Sequence, residues 1–264
     1  MKSYMLIFTA SLLLVTTLMS CQKVIDIDLN EKEPKIVIEG GISDQPGPYV
    51  IRISQTVNFD EPNEFPPVTG ARLTLRDNAG NSETLSEAAP GEYVITSLQG
   101  VPGRTYTLEI TAGDVTYTSV SYLPAAVPID SLTVEESFWG IRQVNIYLKD
   151  PAETENYYRI VQEKNRVKVR DILVMSDELQ NGSHLSTPLF INNIEDSLRR
   201  GDTVTVQLQS IDKAAYDYFR TLMMLTTPGG PPSDAPANPI SGFTNGALGY
   251  FYAYAVRTEI IVVP

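Results

Sequence analysis

The chain has 264 residues, with 20 Lys and Arg against 32 Asp and Glu, a formal net charge of −12 at pH 7, one Cys and one His. So acidic a chain lacks the clustered cations that grip a phosphate backbone, which argues against nucleic acid as a partner. One Cys and one His exclude an internal disulfide, thiolate metal sites and multi-histidine zinc sites, so no metal and no cofactor are expected. The histidine, His184, follows Asn181-Gly182-Ser183 and reads as a solvated turn residue.

The chain opens with one cation (Lys2), an apolar run from Tyr4 to Met19, and the small residue Ser20. That is the layout of a secretory signal, and the run is shorter than the roughly 20 residues a membrane span needs. Cys21, directly after Leu18-Met19-Ser20, makes the segment resemble a bacterial lipobox, although Met19 stands where a smaller residue is more usual. The resemblance implies that 1–20 is a lipoprotein signal peptide and that Cys21 becomes the lipidated first residue. One acyl chain anchors only marginally, whereas several on one residue hold durably. Residues 21–34 then read as a lipid-anchored tether. Within it Asp26, Asp28 and Asn30 have the spacing of half a calcium loop. Glu31 occupies the glycine position and Val37 the final glutamate position, so calcium is not expected.

From Lys35 onward short strands alternate with turns. Ile36-Val37-Ile38 is a β-branched run, 49–54 alternates in part, and 71–76 alternates cleanly before the turn Asp77-Asn78-Ala79-Gly80. Residues 105–111 and 115–120 flank Gly113-Asp114, a tight hairpin signal. Residues 35–125 therefore have the size and spacing of one self-contained immunoglobulin-like β-sandwich. Pro124 to Pro128 reads as a boundary. A second β-rich domain, 128–264, follows, with strands over 131–136, 143–148, 157–162, 167–174, 203–210 and 248–263. One helix interrupts it. Asp212 is its N-cap, and Ala215, Tyr216, Phe219, Leu222 and Met223 share a face. The Pro/Gly-rich stretch 227–239 is a long loop of the kind that is functional or disordered. The fold class expected is all-β with one helix.

Two faces are candidate binding surfaces. Lys164, Arg166, Lys168 and Arg170 occupy alternate positions and would form one basic stripe on a strand. That stripe is either a docking surface for an acidic partner or an edge guarded by charge. Tyr250, Tyr252 and Tyr254 share one face of the last strand, opposite Phe251, Ala253 and Ala255. They form either a ligand face, each ring offering apolar area and a polar tip, or a half-wet outer face over a core built from the small residues. No nucleophile elbow or phosphate-cradling loop occurs, and no particular carboxylate pair stands out, so an enzyme is not expected.

Several segments, in order, resemble one family: 38–47 (IEGGISDQPG), Val68-Thr69-Gly70-Ala71, Gly91-Glu92-Tyr93, 102–108 (PGRTYTL), 128–132 (PIDSL), Tyr216-Asp217-Tyr218, Asn238-Pro239-Ile240 and 246–251 (GALGYF). With the lipobox, the chain resembles the Bacteroidota outer-membrane lipoproteins of the domain of unknown function 4249 family. The resemblance implies an N-terminal immunoglobulin-like domain, a second β-rich domain, and an outer-membrane location beside a TonB-dependent receptor. It supplies no catalytic residues. Acidic residues come late after Cys21, which leaves the surface and periplasmic leaflets both open. The expected function is a lipid-anchored binding or accessory protein for uptake of a ligand by such a receptor. The alternative is a structural or adhesive surface lipoprotein that transports nothing.

Overall fold

The computed structural model describes residues 33–58, 61–136, 140–189, 197–226 and 238–264. The signal segment, Cys21, the Asp26/Asp28/Asn30 cluster and residues 227–237 of the Pro/Gly loop lie outside the described residues. Residues 34–264 form one compact unit.

The chain is mainly β. Seven strands come first: β1 (Ile36–Ser43), β2 (Tyr49–Gln55), β3 (Arg72–Asp77), β4 (Ser82–Ala89), β5 (Glu92–Ile95), β6 (Thr105–Ala112) and β7 (Val115–Tyr122). Then come β8 (Ser131–Glu136), β9 (Arg142–Lys149), β10 (Tyr157–Lys164), β11 (Val167–Lys168), β12 (Leu173–Ser176), β13 (His184–Leu189) and β14 (Thr203–Ile211). Helix α1 (Lys213–Thr226) and the long strand β15 (Leu248–Val262) complete the described elements. The turn at Gly113-Asp114 forms as expected, with Ala112 paired directly to Val115.

The first core lies between two curved layers. Ile38, Ile42, Ile51, Ile53 and Ile95 of one layer meet Leu73, Leu75, Tyr106, Leu108 and Ile110 of the other. Strand β4 belongs to both layers. Its first half pairs with β3 and its second half, past an irregularity at Glu87 to Ala89, with β5. The expected boundary at Pro124–Pro128 falls between β7 and β8. The core on its N-terminal side nevertheless draws Phe243, Phe251, Ala253 and Ala255 from the far end of the sequence. They arrive because β15 pairs in parallel with β1, from Val37 opposite Leu248 to Ser43 opposite Tyr254. The stretch 35–125 thus lacks one strand of its own sandwich.

The second core is a smaller sandwich. The three-stranded sheet β13-β9-β8 packs through Val144, Ile146, Leu148 and Leu185 onto Tyr158, Ile160, Val204, Val206 and Leu208 of the β10-β14-β15 sheet. β15 serves here too, pairing antiparallel with β14 from Ala255 to Val262. The spacing did not predict β13, in which Pro188 is the last residue but one. An edge strand tolerates a proline, and β13 lies at the edge of its sheet.

Close approach decides two glycines. Gly249 has φ of 93°, and a Cβ there would come within 2.0 Å of the Ile38 carbonyl oxygen. A Cβ on Gly41 would lie 2.4 Å from the Tyr252 carbonyl oxygen, so this position lets β1 lie flat against the tyrosine strand.

Side chains close the remaining margin of the first sandwich. Thr244 Oγ1 accepts the Thr118 N–H (2.9 Å), Asn245 Nδ2 donates to the Thr116 carbonyl (2.7 Å), and Asp212 Oδ2 accepts the Tyr122 N–H (2.9 Å). Asp212 also accepts from Ser121 Oγ (2.6 Å) and, through Oδ1, caps α1 at the Ala215 N–H (2.9 Å). One carboxylate therefore holds a helix end and an edge strand together. Replacing it by Ala strands three donors. Asp212→Ala is expected to lower stability by about 3 kcal/mol, read as a fall in urea midpoint with the native β-type circular dichroism kept.

Candidate functional site

Strand β15 is where the two candidate faces meet the structure. Phe251, Ala253 and Ala255 point into the first core, so the tyrosines point the other way, onto the face that α1 covers. Tyr252 is buried, and Tyr250 and Tyr254 are half-buried. Tyr218 and Phe219 of α1 lie against Tyr250 at ring distances of 5.2 and 4.9 Å, and Tyr252 stacks on Tyr254 at 4.7 Å. Burial pushes the Tyr250 and Tyr218 hydroxyls up to about 12. The ladder is the floor of a closed aromatic layer, and its middle ring is not accessible to a ligand.

At the centre of that layer sits Arg159 of β10, which the sequence did not single out. Its guanidinium lies 4.0 Å above the Phe219 ring and its Nη1 donates to the Tyr252 hydroxyl at 2.7 Å. Tyr252 in turn donates to Gln209 Oε1 at 3.3 Å. Arg159 is thus fixed by a cation–π contact and a hydrogen bond, and neither neutralises its charge. A desolvated cation–π contact is worth up to about 2 kcal/mol, enough to hold the guanidinium in one orientation.

The basic stripe does not form as expected. Asn165 and Arg166 have φ of 51° and 69° and make the two-residue turn that joins β10 to β11. The alternation therefore breaks at Arg166. Lys164 pairs with Val167 and Glu163 with Lys168, so Lys164 and Lys168 fall on opposite faces. Lys164 is spent locally, donating to the Ser197 carbonyl (2.8 Å) and lying 3.5 Å from Asp202. Arg166 is exposed at the turn. The expected strand 167–174 is interrupted as well. Val169 still donates to the Gln162 carbonyl at 2.9 Å, and residues 170–172 bulge away from β10 before β12 resumes pairing at Leu173.

That bulge opens a cleft of about 360 Å³. Arg159, Lys168 and Arg170 line it with Asp171, and Ile160, Val161, Val169 and Ile172 supply apolar walls. Two of the four expected basic residues are brought together with a third that sequence reasoning missed. Burial and the neighbouring Arg159 charge hold the Lys168 ammonium below its ordinary value, against a partial opposing pull from Glu163. Crowding like charges in this way concentrates positive potential at one opening of an acidic protein.

Most buried carboxylates have structural tasks. Asp77 accepts from the Ala79 and Asn81 backbones and from Arg104, and Glu83 accepts from the Thr96, Ser97 and Leu98 backbones. One pair differs. Asp150 and Asp177 are 2% and 1% exposed. Asp150 accepts from the Tyr158 hydroxyl (2.5 Å) and the Gly182 N–H (3.0 Å), and Asp177 Oδ2 accepts from Asn156 Nδ2 (3.3 Å). Asp177 Oδ1 has no donor partner. Burial and the adjacent Asp150 carboxylate raise the Asp177 value above that of an ordinary carboxyl. This pair serves as an internal joint between the ends of β9, β10 and β12. His184 is exposed at the start of β13, opposite Lys149. Among the described residues no group of His, Cys, Asp and Glu is arranged to hold a metal, and no helix is long and apolar enough to cross a membrane.

Comparisons with known proteins add the following. A family model, "Domain of unknown function (DUF4249)", matches residues 22–260. Solved structures similar to the chain include a two fibronectin type-III domain segment from chicken tenascin, at 12% identity over 88% of this chain and 100% of that one, with a TM-score of 0.26. Another is a cytokine receptor complex, at 10% identity over 85% of this chain and 94% of that one, with a TM-score of 0.26. The comparison with curated proteins returned no match.

The acid pair generates a pH prediction. Asp177 gives up its proton at higher pH in the folded chain than in the unfolded chain, which releases it near the ordinary carboxylate value. Stability therefore falls as pH rises from that value through the raised one. Asp177→Asn keeps the bond from Asn156 and offers an N–H to Asp150. The variant is expected to have a higher urea midpoint than wild type at pH 7, with the gap closing toward about pH 4. An equal gap at both pH values would contradict the raised Asp177 value.

Proposed function

This chain belongs to the domain of unknown function 4249 family, and from that premise we propose that it is a lipid-anchored envelope protein that binds a partner and catalyses nothing. In this reading it works beside a TonB-dependent receptor of the outer membrane and contributes to uptake of a ligand. The anchor is Cys21, following the signal-like leader. The observation that carries the reading is the cleft between β10, β11 and β12. Three cations face one opening there beside a single acid, Asp171, while Asp77, Glu83 and Asp150 are engaged in the framework. Rim charges of this kind speed association with an acidic surface and weaken in salt.

The test is a crosslinked pull-down from native membranes, comparing wild type with Lys168→Glu/Arg170→Glu. Arg159 is left intact because it holds the aromatic layer. The reading predicts that wild type recovers a receptor, that the double variant associates several-fold more slowly, and that its salt dependence is flatter. Equal recovery at low salt would remove the cleft from the contact. Surface exposure with no recovered receptor would favour the adhesive alternative.

A further inference from the structure

We propose that the free margin of β15 at Thr258, Ile260 and Val262 is a strand-addition site for an extended segment of a partner protein in which apolar and basic residues alternate.

Backbone groups along a strand point alternately to its two margins. The Val263 N–H donates to the Asp202 carbonyl, on the β14 side, so the odd-numbered residues of this half face β14. The even-numbered ones face the opposite margin. Tyr254 offers its carbonyl there to the Asp44 N–H at 3.1 Å, and the Val256 N–H donates to Asp44 Oδ1 at 2.9 Å. β1 has then ended, at Ser43. Thr258, Ile260 and Val262 follow with the same orientation and no ladder partner on that margin among the described residues. Their side chains are exposed, Ile260 by 62% and Val262 by 60%.

Three other margins are guarded. Side chains of Thr244, Asn245 and Asp212 cap β7, Pro188 interrupts β13, and β8 carries Glu135 and Glu136. The β15 margin has no proline and no lysine, and its one cation, Arg257, is held by Asp44 at 2.8 Å. An unguarded edge with branched apolar side chains is the template that strand addition uses.

The neighbours define the occupant. An added strand extends the face carrying Thr258, Ile260 and Val262, so every second residue of it meets branched apolar groups. The intervening residues point to the face of Glu259, over which β8 packs with Leu132 and Val134 inward. Glu259 is exposed there with no ion pair among the described residues, and Glu136, paired with Arg142 at 3.3 Å, is the acid on the inward side of β8, on a chain of net charge −12. The intervening positions therefore favour Lys or Arg.

The probe is an end-blocked octapeptide of alternating Lys and Val, with an alternating Glu and Val peptide as the comparison. The full chain is titrated by fluorescence anisotropy, and amide exchange is read at Thr258, Ile260 and Val262. The basic peptide is expected to bind, to slow exchange at those three amides, and to bind roughly tenfold more weakly to Ile260→Pro, which deletes an N–H that β14 does not use. The acidic peptide is expected not to bind. Ile260→Pro leaves the charge unchanged, so undiminished binding to that variant would mean diffuse attraction and overturn the proposal. The exchange measurement on wild type needs no variant. Protection of the three amides before any peptide is added, or none after saturation, would overturn it equally.

Discussion

Asp44 stands at the point where β15 changes neighbours. Its N–H donates to the Tyr254 carbonyl, one carboxylate oxygen takes the Val256 N–H, and the other takes Arg257. Before that point β15 lies beside β1, and after it β15 pairs with β14 and with no other described strand. A parallel pairing between the first and last strands of the described chain has no local turn to set its register. The aspartate and the tight approach at Gly249 supply that constraint instead. Both cores depend on it. A shift of one residue would turn Phe251, Ala253 and Ala255 out of the first core and the tyrosines into it.

The same alternation sets the chemistry of the exposed face. With the small residues spent on the first core, the tyrosines must be covered from the other side. Helix α1 covers them with Ala215 and Phe219, under the cap that Asp212 provides. That layer is apolar apart from Arg159. The guanidinium is held by aromatic faces and a phenol hydroxyl, so its charge is oriented. Lys168 and Arg170 approach it only because the chain bulges between β11 and β12. The cleft is therefore a consequence of how β10 is paired, several steps removed from the composition of any one segment.

Local pattern made part of this legible. The strand-rich organisation, the Gly113-Asp114 hairpin, the Asp212 cap and the opposition of tyrosines to small residues along β15 all follow from periods of two or 3.6 and from turn chemistry. The basic stripe misled because strict alternation presumes an uninterrupted strand. Asn165-Arg166 adopts left-handed backbone, for which Asn before Arg was the available signal. Arg159 carried no signal at all, since its role depends on Phe219 and Tyr252, distant in sequence. The shared strand was hidden for the same reason. Residues 35–125 have the length and spacing of a complete sandwich, and nothing in them reveals that one strand comes from beyond residue 247.

The sharing of β15 can be tested most directly by expressing residues 33–126 alone and again joined through a flexible linker to residues 243–257, and following urea unfolding of both. If β15 completes the first core, the shorter piece will lack a cooperative transition and the joined piece will regain one. A cooperative transition of 33–126 alone, at the midpoint of the joined piece, would contradict the account.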